Sequence, residues 1–363
     1  MSASRKPEGE LRRGWTTGAC ATAAARAAYE ALVTGHFPDP VTIRLPQGQR
    51  PSFALGRAEL VGDTATAGVV KDAGDDPDVT HGALVLASVR RGPPGSGVTF
   101  RAGDGVGTVT RPGLALAVGE PAINPGPRGM MTEAIVDAAE VLGGPADIEI
   151  TVAIPGGQDL AKRTMNARLG IVGGLSVLGT TGVVIPYSCS SWIHAIHRGV
   201  DVARAAGIDH LIAATGANSE RAAQAMFGAP EQALIDMGDF VGGLLKYLRQ
   251  HPVSRLTIAG GFAKLSKLAQ GHLDLHSSRS SVDLTELANL TQRLGGSADL
   301  VAEVAQAAGA GEALALADAG GVRLGDPIAR GARATAMAAL GGDVAVEVLV
   351  FDRDGAVIGQ ARG

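Results

Sequence analysis

The sequence predicts a mixed α+β / α/β protein of two domains, one an α+β domain built on an antiparallel sheet and the other a three-layer α/β domain. Three observations predict it. The chain has 363 residues, enough for two domains at roughly 150 residues each. Between residues 41 and 110, short runs of alternating polarity bounded by Gly and Pro follow one another, the pattern of antiparallel strands. From about residue 155 the pattern becomes buried apolar run, Gly-rich turn and helix, which implies parallel strands with crossover helices.

Residues 16–35 give the clearest helix: Thr17 stands where an N-cap is needed, Cys20–Val33 is rich in alanine, and Gly35 stops it. Strands are expected at 41–45, 52–60, 64–70, 83–89, 98–102 and 107–110, packed on that helix. A second helix covers Thr132–Leu142, followed by a strand at Ile148–Ile154. In the second part, strands at 171–177, 210–214 and 256–259 alternate with helices at 190–206, 218–227, about 238–250 and from about 262. Val344–Phe351 and Ala356–Ile358 flank Asp354-Gly355 as a hairpin. It is expected to rejoin the N-terminal sheet, so that 1–154 plus 335–363 form the α+β domain and 155–334 the α/β domain.

Composition narrows the function. Glycine contributes 52 residues without a G-X-Y period, which excludes collagen, and with 45% hydrophobic and 19% charged residues the chain can bury a core. A net charge of -4 and 3% aromatics speak against nucleic-acid binding. Two cysteines, Cys20 and Cys189, make neither a disulfide framework nor a cysteine zinc site, so a reducing, cytoplasmic setting is expected. The charged segment Met1–Trp15 lacks the apolar run of a signal peptide. Leu169–Pro186 approaches the length of a membrane span but holds five glycines, three hydroxyl residues and a terminal proline, and reads as buried strand and tight turns.

The densest chemistry lies in Lys71-Asp-Ala-Gly-Asp-Asp-Pro-Asp-Val-Thr-His81, where Lys71, Asp72, Asp75, Asp76, Asp78 and His81 share a loop that Gly74 and Pro77 keep from being helical. Such carboxylates can orient polar hydrogens, take a proton or bind a cation, and they can equally form a solvated acidic turn, the commoner outcome for an Asp-rich loop. Calcium-loop spacing and the helical metalloprotease motif are both missing. Thr16, Thr17 and Gly18 open a helix whose end could receive an anion or could be merely a cap and a packing contact; Cys20 behind them reads as a buried, inert thiol. Asn124 and Arg128 in Ile123-Asn-Pro-Gly-Pro-Arg128, and Arg163, Asn166 and Arg168, pair cations with amides and bare backbone, as a carboxylate clamp or as rigid connectors. Gly173, Gly174, Gly179 and Gly182 do not match G-x-G-x-x-G. Gly216 and Asn218, and Gly260, Gly261 and Lys264, lie in turns after strands, where α/β sheets collect ligands, although such turns are generic. His194 and His197 are too few for a metal site.

Taken together, GWTTGACATAAA (14–25), VVKDAGDDPDVTHGA (69–83), GVGTVTRPGL (105–114), INPGPRGMM (123–131), RLGIVGGLSVLGTTG (168–182), DMGDFVGG (236–243) and IAGGFAKLSKLAQG (258–271) resemble the CbiD family of cobalamin biosynthesis. The resemblance implies Val and Pro where this chain has Gly126 and Ala167. The resemblance implies a CbiD-like fold with a Rossmann-like second domain. It also implies methyl transfer from S-adenosylmethionine to carbon 1 of cobalt-precorrin-5B, an anionic cobalt-tetrapyrrole, giving cobalt-precorrin-6A, with no protein-bound metal. On that footing Asp72, Asp75, Asp76, Asp78 and His81 are the expected catalytic loop, placed in a cleft between the domains. Thr16, Thr17, Gly18, Gly216, Asn218, Gly260 and Gly261 are expected to receive the methyl donor, and Lys71, Asn124, Arg128, Arg163, Arg168 and Lys264 the substrate and its carboxylate rim. Expected partners are that substrate alone, with neither nucleic acid nor membrane, a homo-oligomer being allowed, as is transient contact with neighbouring pathway enzymes. The alternatives are a carrier that binds a tetrapyrrole without catalysis, and a divalent metal held by the acidic loop.

Overall fold

In the computed structural model, residues 9–362 are described; Met1–Glu8, the first half of the charged N-terminal segment, and Gly363 lie outside the described residues. The chain divides into two units, the first ending at Ser188 and the second running from Cys189.

Unit 1 starts with β1 (Gly14–Trp15) and α1 (Thr17–Thr34), continues through β2 (Val41–Thr42), β3 (Ser52–Phe53), β4 (Arg57–Val61), β5 (Thr64–Val70), β6 (Leu84–Arg91), β7 (Val98–Ala102) and β8 (Thr108–Val109), and closes with α2 (Pro125–Leu142), β9 (Ile148–Ala153), α3 (Gly157–Ala161), β10 (Ile171–Val172) and β11 (Val183–Val184). Its main sheet has the order β4-β5-β6-β9-β7; all neighbours are antiparallel except β7, which runs parallel to β9. The sheet is therefore mixed at one edge where an all-antiparallel one is expected. Helix α1 is buried on nearly every side, because its alanines meet the small residues Ala65, Ala67 and Ala87 of the sheet and α2 covers its other flank. Thr16, rather than Thr17, is its N-cap, with Thr16 Oγ1 accepting from Ala19 N–H at 3.1 Å, and Gly35 ends it at φ 80°. Helix α2 starts seven residues ahead of the expected Thr132, since Pro125 at its first turn needs no hydrogen-bond partner there. Expected strands at 41–45 and 171–177 shrink to two residues each; 43–45 are irregular, 173–174 bend, and Leu175 and Val177 keep only isolated bridges to Val106 and Ile123.

Unit 2 holds α4 (Cys189–Ala205), β12 (His210–Ala214), α5 (Ala217–Phe227), β13 (Leu234–Asp236), α6 (Val241–Leu248), β14 (Arg255–Gly261) and α7 (Phe262–Ala269). Four more helices, α8 (Leu284–Arg293), α9 (Ala298–Ala305), α10 (Ala310–Ala319) and α11 (Gly325–Leu340), lead to β15 (Ala345–Phe351) and β16 (Val357–Ala361). The sheet order is β13-β12-β14-β15-β16, parallel except for the antiparallel edge strand β16. Alternate side chains separate two cores. Leu211, Ala213, Leu256 and Ile258 face α4, α6, α7 and α11, whereas Ile212, Ala214 and Ala259 pack with Ala222, Ala223 and Phe227 of α5. Helices thus cover both faces.

The C-terminal hairpin departs from expectation: it pairs with β14 of unit 2 and not with the N-terminal sheet. Strand β15 is buried at six consecutive positions, Val346–Phe351, the signature of a strand covered on both faces in a parallel sheet, while the expected destination offers one buried face only. The boundary falls at 188/189 and not at 154/155, since Val106, Ile123, Leu175 and Val177 share the unit 1 core. No helix among the described residues is long and apolar enough to cross a membrane; Leu169–Pro186 is turns and short strands.

Candidate functional site

The acidic loop grows out of the β5–β6 hairpin of unit 1. Lys71 N–H donates to Ala83 O at 2.9 Å and Gly82 N–H to Lys71 O at 2.8 Å, so both ends of the loop are pinned. Lys71 is 2% exposed, and its ammonium donates to the side chains of Asp78 and Thr80. Asp78 Oδ1 also accepts from Thr80 N–H at 2.7 Å and from the Thr80 hydroxyl at 2.6 Å. Burial pushes Asp78 up more than any other single influence, yet the Lys71 charge and the bonds from Lys71 and Thr80 together outweigh it and leave the carboxyl below its ordinary value. Asp72 takes a two-pronged contact from the Arg12 guanidinium and accepts from Gly74 N–H at 2.9 Å, which holds its carboxyl down at about 2. Asp75 is exposed and braces the Arg12 backbone: its Oδ2 accepts from Arg12 N–H at 2.6 Å and its own N–H donates to Arg12 O at 3.0 Å.

Asp76 differs from its three neighbours. It has no cation among its hydrogen-bond partners; Oδ1 accepts from Tyr187 N–H at 2.8 Å, and no described donor reaches Oδ2. Burial pushes this carboxyl up, and the nearby charge of Asp78 adds to the rise. His81 is exposed and its Nδ1 accepts from Ala73 N–H at 3.1 Å, so the neutral ring carries its proton on Nε2. The loop therefore contains three carboxylates in structural use, one carboxylate of raised basicity and one ring N–H turned outward.

Three separated segments pack against this loop or against one another. Trp15 N–H donates to Asp72 O at 2.7 Å, and a Cβ on Gly14 would lie 2.0 Å from the Ala73 backbone. Strands β1 and β11 pair, bringing 183–187 alongside 12–16. Asn124 N–H donates to Val177 O at 3.0 Å, and a Cβ on Gly126 would come 3.2 Å from Thr180 Cα. At the start of α1, Gly18 N–H already serves Leu178 O at 3.1 Å, and a Cβ there would meet Pro127 at 2.8 Å. Thr16, Thr17 and Gly18 are all buried. The structure gives this helix end cap and packing roles. Cys20, 0% exposed, is pushed up to about 12 by burial, as an inert thiol should be.

The expected cations differ in what they already hold. Arg128 turns back on its own loop, with Nε donating to Ile123 O at 2.7 Å and one terminal nitrogen to Pro121 O at 3.2 Å, and it lies over the Phe100 ring at 5.6 Å. Asn124 sits at the N-cap of α2 without a side-chain cap bond. Arg163 is exposed, and the Arg168 carbonyl receives Arg111. Asn166 is buried and donates to Gly174 O at 3.2 Å.

In unit 2, β12 leads through α5 to β13 on one side, while β14, on the other side of β12, leads away through α7 toward β15. The strand order reverses between β12 and β14, and open α/β sheets collect ligands outside the carboxyl ends of such a strand pair. Gly216 and Gly261 stand there as the N-caps of α5 and α7, without side-chain cap bonds, and open space lies where a Cβ would be. Asn218 is exposed in the first turn of α5. Gly260, by contrast, is a packing glycine, since a Cβ would stand 2.8 Å from Thr215 Oγ1 and 3.0 Å from Leu265 Cγ. Lys264 Nζ donates to Thr215 O at 2.6 Å and ion-pairs with Asp239 at 3.0 Å, which joins the turn after β12 to the DMGDF segment after β13. His197 stacks on Tyr247 with centroids 3.9 Å apart and faces His194 edge-on.

Arg12 and Tyr187 were not singled out in the sequence. The Arg12-Arg13 pair preceding Gly14 carried a signal in its charge, opposite to that of the loop; Tyr187, whose φ of 56° aims its N–H at Asp76, carried none.

A loop of held carboxylates in one unit and a parallel sheet with a topological switch point in the other make this a two-unit protein of mixed α and β structure. The comparisons carry this further: the chain belongs to the CbiD family. The family pattern matches residues 4–186, and that of the CbiD C-terminal domain matches residues 274–362. A protein of Bradyrhizobium sp. (strain BTAi1) named cobalt-precorrin-5B C(1)-methyltransferase is 60% identical over 97% of this chain and 94% of its own. Similarly named proteins of Brucella anthropi and Brucella canis are each 58% identical, covering 97% and 99% of this chain and 96% and 98% of theirs. The crystal structure of a cobalamin biosynthesis protein (cbiD) from Archaeoglobus fulgidus is 27% identical, with a TM-score of 0.40 over 70% of this chain and 78% of that one.

Proposed function

We propose that this chain methylates carbon 1 of cobalt-precorrin-5B with S-adenosylmethionine, giving cobalt-precorrin-6A and S-adenosylhomocysteine in cobalamin biosynthesis. The observation that carries the reading is 60% identity across 97% of the chain to a protein named for this reaction. The four-strand parallel core with helices on both faces supports a Rossmann-like description of unit 2. The two free cysteines suit a cytoplasmic enzyme. The cobalt belongs to the substrate, and the reading needs no resident metal.

Methyl transfer from a sulfonium is an in-line displacement: the S–CH3 bond breaks as the new C–C bond forms, and a proton then leaves the ring system. Alignment is the first demand on the protein and proton handling the second. Bare backbone at Gly216 and Gly261 fits a nucleoside and its amino-acid tail, with two helix N-termini lacking side-chain caps to receive the tail carboxylate. Asn218 adds an amide. Asp76 is the proton acceptor, since it alone in its loop combines raised basicity with an oxygen no described donor occupies. Asp72, Asp75, Asp78 and Lys71 hold the loop that presents it, and His81 Nε2–H is available to a substrate carboxylate or ring nitrogen. Exposed Arg163 and half-buried Asn124 supply donors for the acetate and propionate groups, while Arg128 acts by fixing the 120–128 loop.

Incubating the full chain anaerobically with cobalt-precorrin-5B and donor labelled in its methyl group tests this reading. Label at carbon 1 of the product is expected. Tetrapyrrole binding without transfer would support the carrier alternative instead.

A further inference from the structure

A second cationic feature lies in unit 2, away from the proposed donor turns. Helix α11 buries Ile328, Ala329, Ala332, Ala336 and Leu340, and on another face carries Arg330, Arg333, Ala334 and Met337 at i, i+3, i+4 and i+7. This face and the end of β16 form an open depression of about 630 Å³ that three arginines line, Arg330, Arg333 and Arg362. The small side chains of Ala334 and Ala361 leave the space open, and Met337, 41% exposed, gives it an apolar wall.

Each guanidinium has spare donors. Arg333 spends Nε on Val346 O at 2.8 Å, and Arg362 ion-pairs through Nε with Glu347 at 2.7 Å, a carboxylate 3% exposed and shared with Arg255. Arg330 is exposed and meets no hydrogen-bond or ion-pair partner among the described residues. The nearest competing carboxylates are already engaged, Glu347 by two arginines and Asp326 by Gln360 N–H at 2.8 Å. Two anchored guanidiniums, Arg333 and Arg362, and the unpaired Arg330 beside a half-apolar depression are suited to carboxylate or phosphate oxygens.

We infer that this depression binds an oligoanion, a molecule with at least two carboxylate or phosphate groups beside an apolar surface. Its volume accommodates a nucleotide or one edge of a carboxylated macrocycle. The depression lies at the β16 edge of the sheet, from the level of Val346 to that of Leu349, whereas the proposed donor turns follow the carboxyl ends of β14 and β12, two and three strands further in. The depression is therefore separate from the proposed donor site. Binding here stands independently of methyl transfer.

The test titrates the full chain with two probes, uroporphyrin, a tetrapyrrole with eight carboxylates, and ATP, following uroporphyrin by its fluorescence and ATP by calorimetry. Wild type is expected to bind at least one of them, more weakly at high salt, and whichever binds identifies the source of the anion. Arg330→Gln, which breaks no internal contact, is expected to weaken that binding about tenfold, with Arg330→Lys between the two because it keeps charge without the fork. S-adenosylmethionine affinity, measured on the same samples, should stay at the wild-type value, which separates failure here from failure of the donor site. Binding of neither probe by wild type, or equal binding by Arg330→Gln, overturns the inference.

Discussion

At the scale of single residues, the four aspartates of one loop have been given different work by their neighbours. Asp76 is raised by burial and so remains a stronger base than an exposed carboxylate of pKa about 3.9. Methyl transfer by the wild type should fall away on the acid side at a pH above that ordinary value. Asp76→Asn should lower turnover by ~10²-fold or more and abolish the acid limb, read from the pH–rate profile. Its stability effect has the opposite sign: a raised pKa means the ionised group costs stability at neutral pH, so Asp76→Asn should melt no earlier than wild type. Asp72 behaves in reverse. Its folded pKa of about 2 lies below the reference value of 3.8, so its contribution is complete above the latter and is lost as pH falls through that interval. Thermal melts between pH 5 and pH 2 should therefore show a steeper loss for wild type than for Asp72→Asn, by a small margin because the Arg12 pair is exposed. None of this division of labour was legible in the residue types, which are identical; it depends on Arg12, Lys71 and Tyr187 arriving from elsewhere in the chain.

At the scale of elements, glycines that look alike in the sequence separate into two kinds. Gly260→Ala should cost about 1–3 kcal/mol in a denaturant melt, because the new Cβ collides with Thr215 and Leu265. Gly261→Ala, one residue on with open space and an ordinary φ of -74°, should cost no more than about 1 kcal/mol, the difference between Gly and Ala at an N-cap, while weakening S-adenosylmethionine binding. Equal affinity of Gly261→Ala and wild type would remove α7 from the donor site. Strand and helix positions were readable where local pattern and tertiary need agreed: Val98–Ala102 and His210–Ala214 fall where alternation and apolar runs place them. The expected strand at 171–177 shortens to Ile171–Val172, since Gly173 turns at positive φ and Gly174 approaches the Gly105 backbone too closely for a Cβ.

At the scale of the whole molecule, each unit has its own core, and the C-terminal hairpin is part of the second. Val348→Asp, which buries an unpaired charge at a 0% exposed site, should strip hydrogen-exchange protection from β12 and β14 while α1 keeps its own. Adding S-adenosylmethionine to the wild type should protect 215–220 and 260–264; protection confined to unit 1 would relocate the donor. The sequence by itself determined the two-part organisation, the order of most elements and, through motifs spread over nearly the whole chain, the CbiD family, because hydrophobic period and turn chemistry are local properties. Only the tertiary structure decided that β15 lies beside β14, that the helix end at Thr16–Gly18 is spent on packing, and that Arg128 and Lys264 hold loops together. Those outcomes depend on which buried faces and unsatisfied donors meet across long sequence distances, and no local pattern encodes that meeting.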